Sequence, residues 1–233
     1  MIYGNGLIAR SFKKYKTNKK FIFFASGVSN SQETSKFKYI KEIKLLKKVL
    51  SCKKNNQVFI YFSTCSILDR SKNKSLYIKH KLKIEDIIRK YNNYYIFRLP
   101  NVVGKSFNNF TLINNLIFKL NNNKRIFVLF KARRNIIDIL DVVRLVDLIL
   151  KKNMDKNKTI NIANKYNNKV IDIILHLSKI LNKSPIIKFK KTLIKSSYSI
   201  NIRYIRSYIS LLNIKFNKNY YKEILNKYYA AKN

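Results

Sequence analysis

Tyr77 and Lys81 stand four residues apart in a segment patterned as a helix, which places both side chains on one face. A phenol beside an ammonium has its pKa lowered, because the positive charge stabilises the phenolate, and it can then act as a general base near neutral pH. Thr64 closes the preceding apolar run, where its hydroxyl could orient a substrate oxygen. Spacing alone is weak evidence in a chain with 16 Tyr and 40 Lys, where Tyr15 and Lys19 form another such pair and a solvated surface pair is the plain alternative. Context separates Tyr77 and Lys81 from the rest: they begin a helix that follows a strand ending in hydroxyl residues.

A second constellation opens the chain. Gly4-Asn5-Gly6-Leu7-Ile8-Ala9 has the form GxGxxA and follows a very short apolar segment, Met1 to Tyr3. At such a turn a dinucleotide pyrophosphate can lie against backbone N–H groups and the positive end of a helix, an approach that side chains would block. An ordinary strand-to-helix turn has the same appearance. The only other glycines, Gly27 and Gly104, each follow a predicted strand. In a doubly wound sheet, ligands bind at the carboxyl ends of strands.

The elements that must position these residues alternate. Strands are predicted at Met1–Tyr3, Phe21–Ala25, Val58–Phe62, Tyr94–Leu99, Arg125–Phe130, Thr159–Ile162 and Ile186–Phe189. Between them lie helical patterns running to about Tyr15, over Ser31–Leu50 (apolar Phe37, Ile40, Ile43, Leu46, Val49, Leu50) and over Ser75–Tyr91 (Leu82, Ile84, Ile87, Ile88 inward). Further helices are expected at Phe110–Leu120, Ile139–Leu150 (apolar Leu140, Val143, Leu145, Leu148, Ile149), Val170–Leu181 and most of Tyr204–Tyr229. This order implies an α/β fold: a Rossmann-like, doubly wound and mainly parallel sheet, covered on both faces.

Composition bounds the function. At 46% hydrophobic, the 233-residue chain is too apolar for disorder, and its length suits one large or two-lobed domain. No apolar run approaches a membrane span, and Met1 to Phe12 lacks the charged start and cleavage site of a signal peptide, so a cytoplasmic protein is expected. Two cysteines without CxxC spacing and two histidines argue against a disulfide framework or a metal site. The net charge of +39 suggests a polyanion partner, and RNA binding through a basic, Tyr-rich surface is one reading. However, Lys rises together with Asn, Ile, Phe and Tyr, all residues of AT-rich codons. The lysines are also spread evenly along the chain, which speaks against nucleic acid as a specific partner.

Taken in order, several motifs resemble one family. They are Gly4-x-Gly6-x-x-Ala9, Phe24-Ala25-Ser26-Gly27, Ser63-Thr64-Cys65-Ser66, Tyr77-x-x-x-Lys81, Arg98 to Gly104 and Arg134 to Val142, with Asn161-Ile162-Ala163-Asn164 after them. Over roughly Met1 to Leu181 the chain is similar to the extended short-chain dehydrogenase/reductases, the NAD-dependent epimerase/dehydratases of nucleotide sugars. The resemblance implies NAD or NADP as cofactor and a nucleotide-linked sugar, in surface polysaccharide synthesis, as substrate. It makes Tyr77 the acid/base and Thr64 its hydroxyl partner. It places Lys81 on the nicotinamide ribose, and Gly4, Asn5, Gly6, Leu7, Ile8, Ala25, Ser26, Gly27, Ser63, Pro100 and Asn101 around the cofactor. Thr64, Asn101 and Arg134 would meet the substrate, the last gripping its pyrophosphate with a planar fork of donors. A homodimer is a compatible assembly.

The chain also departs from the family pattern. Tyr3 occupies the first glycine position of the family's opening motif and Ala9 the last. Only about twenty residues separate Gly4 from Ala25-Ser26-Gly27, so one strand–helix–strand unit is missing from the usual core. No acidic residue occurs from Met1 to Gln32, which leaves the choice between NAD and NADP open. The expected division is a cofactor-binding core, 1–105 completed by 134–162, and a substrate lobe, 106–133 with 163–233. A retained fold that binds nucleotide without catalysis is the rival to an enzyme.

Overall fold

A computed structural model describes residues 1–72, 75–106, 108–152, 156–190 and 196–231. Five parallel strands form its central sheet in the order β1 (Ile2–Tyr3), β2 (Phe21–Phe24), β3 (Val58–Thr64), β4 (Tyr94–Leu99) and β8 (Lys158–Asn161). β2 reads FIFF and is buried at every position, as a strand covered on both faces must be. Its alternate side chains enter different layers. Phe21 and Phe23 join Ile60, Tyr95 and Phe97 under α1 (Leu7–Ser11) and α5 (Ile139–Lys152). Ile22 and Phe24 join Phe59, Tyr61 and Ile96 under α2 (Lys36–Ser51) and α3 (Leu76–Arg89).

The missing unit has a visible consequence. β1 pairs with β2 alone and is the edge of the sheet, so all strands step in one direction from it. The crossovers through α2 and α3 put their helices on one face, whereas α1, between β1 and β2, lies on the other. Crossovers that step the same way with helices on opposite faces have opposite hands. The link through α1, and the longer β4-to-β8 link that carries α5 on the same face as α1, therefore differ in hand from the two through α2 and α3, although parallel crossovers are usually all right-handed.

The remaining elements form a second cluster. β5 (Asn101–Val103), β7 (Arg133–Asp138) and β9 (Asn167–Lys169) make one small sheet, in which β7 and β9 are antiparallel; β6 (Ile126–Leu129) pairs with β10 (Ile187–Lys190) in parallel. These strands, α4 (Leu112–Asn121), α6 (Val170–Leu181) and α8 (Tyr220–Tyr229) share a core of Ile113, Leu116, Val128, Ile136, Ile173 and Ile224. Ile205 and Tyr208, in the turn leading into and along α7 (Arg206–Leu211), instead pack with the main sheet. Among the described residues no helix is long and apolar enough to cross a membrane.

Three features were not legible in the sequence pattern. β5, β7 and β9 carry too little alternation to be legible, being two three-residue strands and one, RRNIID, that begins with two charges. On α2 the buried face is Tyr39, Glu42, Leu46, Val49 and Leu50, while Phe37 is 73% and Ile40 51% exposed. On α5, Leu140 points outward and Ile139, Val142 and Val146 take the core.

Candidate active site

A cleft of about 1000 Å³ opens at the carboxyl ends of β1 to β4 and reaches across to α4 and β6. Every residue assigned to the site from sequence borders it: Gly4 to Ile8, Ala25 to Gly27, Ser63, Thr64, Tyr77, Lys81, Pro100, Asn101 and Arg134. Its ionisable lining is basic, from Lys81, Lys119 and Arg134, and no carboxylate lies among the described residues that line it. An anionic ligand suits such walls.

The opening turn depends on its first glycine. Gly4 has φ of +120°, and a Cβ there would stand 2.5 Å from the Ala25 carbonyl oxygen. Gly6 is the N-cap of α1, and a Cβ built on it would meet nothing within 4 Å. The turn is thus a cradle with open space above it, which fits a pyrophosphate. Because α1 has five residues, its macrodipole is small, and the binding power of the turn rests on its own N–H groups.

Thr64, at the end of β3, and Tyr77, in the first turn of α3, both border the cleft, and the Thr64 side chain is close enough to favour the Tyr77 phenolate. Thr64 Oγ1 also accepts from the Ser66 N–H at 3.1 Å. The Lys81 ammonium lies 5.8 Å from the Tyr77 ring centroid. Sequence reasoning expects this neighbour to lower the phenol's pKa. Instead the Tyr77 pKa is raised above its ordinary value of 10.0: burial dominates, Lys81 and Thr64 pull it down, and Glu42 pushes it up.

Glu42 is the site residue that sequence reasoning missed. Its carboxylate is buried beside Lys81 (Oε1 to Nζ 3.2 Å) and His80 (Oε2 to Nε2 2.8 Å), and it accepts the Val28 N–H at 2.8 Å. Tyr61 completes the group, accepting from Lys81 at 3.0 Å and donating to Glu42 at 3.4 Å. Since a carboxylate only accepts, His80 Nε2 carries the hydrogen in this contact. Burial alone would raise the Glu42 pKa; Lys81, His80 and the Val28 N–H outweigh it and hold the group at about 2. For Lys81, burial disfavours the cation, but Tyr61 and Glu42 more than offset this and raise its pKa. A signal existed in the sequence: Glu42 lies in phase with Leu46 and Val49 on α2, among only 11 acidic residues.

Three assigned residues are otherwise engaged. The Ser63 hydroxyl donates to Glu85 Oε1 at 2.6 Å, within a cluster where Arg98 grips the same carboxylate at 2.9 and 2.6 Å. Arg134 donates to the Ser196 carbonyl (3.1 Å) and hydroxyl (2.9 Å) and lies 3.8 Å from the Asp69 carboxylate. Asn101 borders the cleft while its amide donates to the Asn135 carbonyl at 2.8 Å.

A family model described as the NAD dependent epimerase/dehydratase family matches residues 8–163, well over half of the chain. The chain belongs to the NAD dependent epimerase/dehydratase family. No curated protein matches its sequence. Among solved structures, this family member is similar to UDP-glucuronic acid 4-epimerase from Bacillus cereus, in complex with UDP-glucuronic acid and NAD (20% identity, 94% of this chain and 76% of that one, TM-score 0.67). It is also similar to UDP-N-acetylglucosamine 4-epimerase from Methanobrevibacter ruminantium M1, in complex with UDP-N-acetylmuramic acid (18% identity, 97% and 81%, TM-score 0.68). A third is dTDP-glucose 4,6-dehydratase from Bacillus anthracis, in complex with NAD (14% identity, 94% and 76%, TM-score 0.62). At these identities the likeness establishes the Rossmann-like fold of the family member.

Proposed function

We propose that the protein is an NAD(P)-dependent enzyme that oxidises and reduces a carbon of a nucleotide-linked sugar, as an epimerase, dehydratase or reductase. The observation that carries this reading is the convergence of Thr64, Tyr77 and Lys81 on the floor of a cleft whose rim is the Gly4 turn. Bound there, nicotinamide would supply the hydride acceptor or donor. Tyr77 takes the proton of the substrate hydroxyl, Thr64 orients that hydroxyl, and Lys81 holds positive charge beside the phenolate that forms. Gly4, Asn5, Gly6, Leu7 and Ile8 would hold the pyrophosphate of the cofactor, Ala25 to Gly27 would form the neighbouring wall, and Pro100 and Asn101 would meet its nicotinamide end. The second cluster closes over the sugar nucleotide, whose phosphates meet Arg134 once they replace its bonds to Ser196.

Titration with NADH and NADPH, followed by turnover of a panel of UDP- and dTDP-linked sugars, tests the reading. Tyr77→Phe is expected to abolish turnover and leave dinucleotide affinity within about threefold, the loss of one transition-state group. Full turnover in that variant, or no saturable dinucleotide binding by the parent, refutes it. A cytoplasmic homodimer belongs to the same reading, supported by the exposed Phe37 and Ile40 on one face of α2; light scattering decides the assembly. The open edge at β1 favours a second reading, a fold that binds nucleotide without turnover. Turnover of any sugar in the panel excludes it.

A further inference from the structure

We infer that Glu42 is a positioning residue: its carboxylate is the counter-ion that keeps Lys81 charged and fixed beside Tyr77. This rests on the reading of Tyr77 and Lys81 just given. An isolated ammonium in a buried site is strongly disfavoured, and it persists when paired and hydrogen-bonded. Lys81 is 4% exposed and Glu42 5%. The Glu42 carboxylate is itself located from three sides, by Lys81, by His80 and by the backbone of Val28. His80 in turn packs against the Tyr39 ring of α2 in a tilted arrangement, centroids 4.5 Å apart, so its ring is held as well.

Gly27 supplies an independent observation. A Cβ at that position would stand 2.8 Å from Glu42 Oε1 and 3.0 Å from Lys81 Nζ. The chain therefore uses one of its four glycines to admit the ion pair. The groups that face Lys81 and Tyr77 are Glu42 and Tyr39 from α2 and Tyr61 and Thr64 from β3, and Glu42 is the carboxylate among them. Glu42 is thus the negative charge that balances Lys81. Two of the three ammonium hydrogens are spent on Glu42 and Tyr61, which aims the third.

The test needs neither cofactor nor substrate. Native protein is acetylated with acetic anhydride across a pH series, and Lys81 is quantified by mass spectrometry against the exposed Lys79 and Lys83 on the same helix. In Glu42→Gln the Lys81 amine should lose its proton at lower pH, so that its acetylation at a fixed pH rises about tenfold relative to the two controls. A change in access alone alters the plateau and leaves the midpoint in place. An unmoved midpoint in folded Glu42→Gln overturns the inference. Where Glu42→Gln does not fold, the double variant Glu42→Gln with Lys81→Met decides: recovery of folding supports the pairing, and failure assigns Glu42 a structural role apart from Lys81. A failed NADH titration would refute the enzymatic reading and leave this result standing.

Discussion

Glu42 also links the site to the stability of the fold. Its pKa falls from the ordinary 4.5 to about 2 on folding, so the folded state holds the carboxylate ionised more readily than the unfolded chain does. A depressed folded pKa contributes stability that is complete above pH 4.5 and is lost as the pH falls towards 2, in all about 3 kcal/mol. Denaturant unfolding of the parent should weaken by that order between pH 5 and 2.5, and Glu42→Gln should lose much of this slope. Glu85, depressed in the same direction by Arg98 and Ser63 despite its burial, contributes to the slope that remains. Gly4→Ala is expected to destabilise by about 1–3 kcal/mol, as a strained left-handed residue pressed against a backbone carbonyl, and calorimetry can measure it. Tyr77, Lys81 and Thr64 were legible because their residue types and order are distinctive. Glu42 was less so: its phase with Leu46 and Val49 marks it as buried, but its partners lie across the interface between α2 and α3, which local spacing does not record.

At the level of elements, α1 has only five residues and stays in place through aromatic packing. Phe12, fully buried just beyond its end, stacks on Phe23 at 4.9 Å and on Phe62 at 5.2 Å. The strands and long helices followed from apolar periodicity, yet the facing of α2 did not. Phe37 and Ile40 share the apolar spacing of α2 yet stay exposed, and the buried face runs instead through Tyr39, Glu42 and Leu46. Turns were written in an unfamiliar residue. With four glycines in the chain, the left-handed positions fall to Asn93, Asn123, Asn157, Asn182 and Asn213, along with Lys131. Asparagine tolerates that conformation better than other side chains do. Asn182, at φ of 49° and ψ of 51°, ends α6 in this way. Asn182→Ala should cost about 1 kcal/mol and Asn182→Gly should be neutral or stabilising, a contrast that thermal unfolding of the two variants can read. Equal losses in both would mean that the Asn side chain, rather than the backbone conformation, caps the helix.

Over the whole molecule, the net charge of +39 is distributed away from the chemistry. The few acids are committed to local partners: Glu33 to Lys38, Glu85 to Arg98 and Arg89, Asp138 to Lys227, Asp141 to Arg144, Asp147 to Lys14. Most lysines have no such counter-charge, so they act on the solvent and on one another. Among the described basic residues only Lys81, Lys119 and Arg134 line the cleft. Two kinds of anion should therefore bind by different rules. A homopolymeric RNA meets a diffuse field and releases counterions, so its affinity should fall by about 10³-fold or more between 50 and 200 mM salt. NADH meets a few directed groups in a partly enclosed site, and its affinity should change far less over that range. Saturating RNA at low salt should leave NADH binding intact, and charge-neutralising variants of scattered surface lysines should weaken RNA equally wherever they are placed. Competition between RNA and NADH, or loss of RNA binding on neutralising Lys119 alone, would show instead that the cleft is the polyanion site.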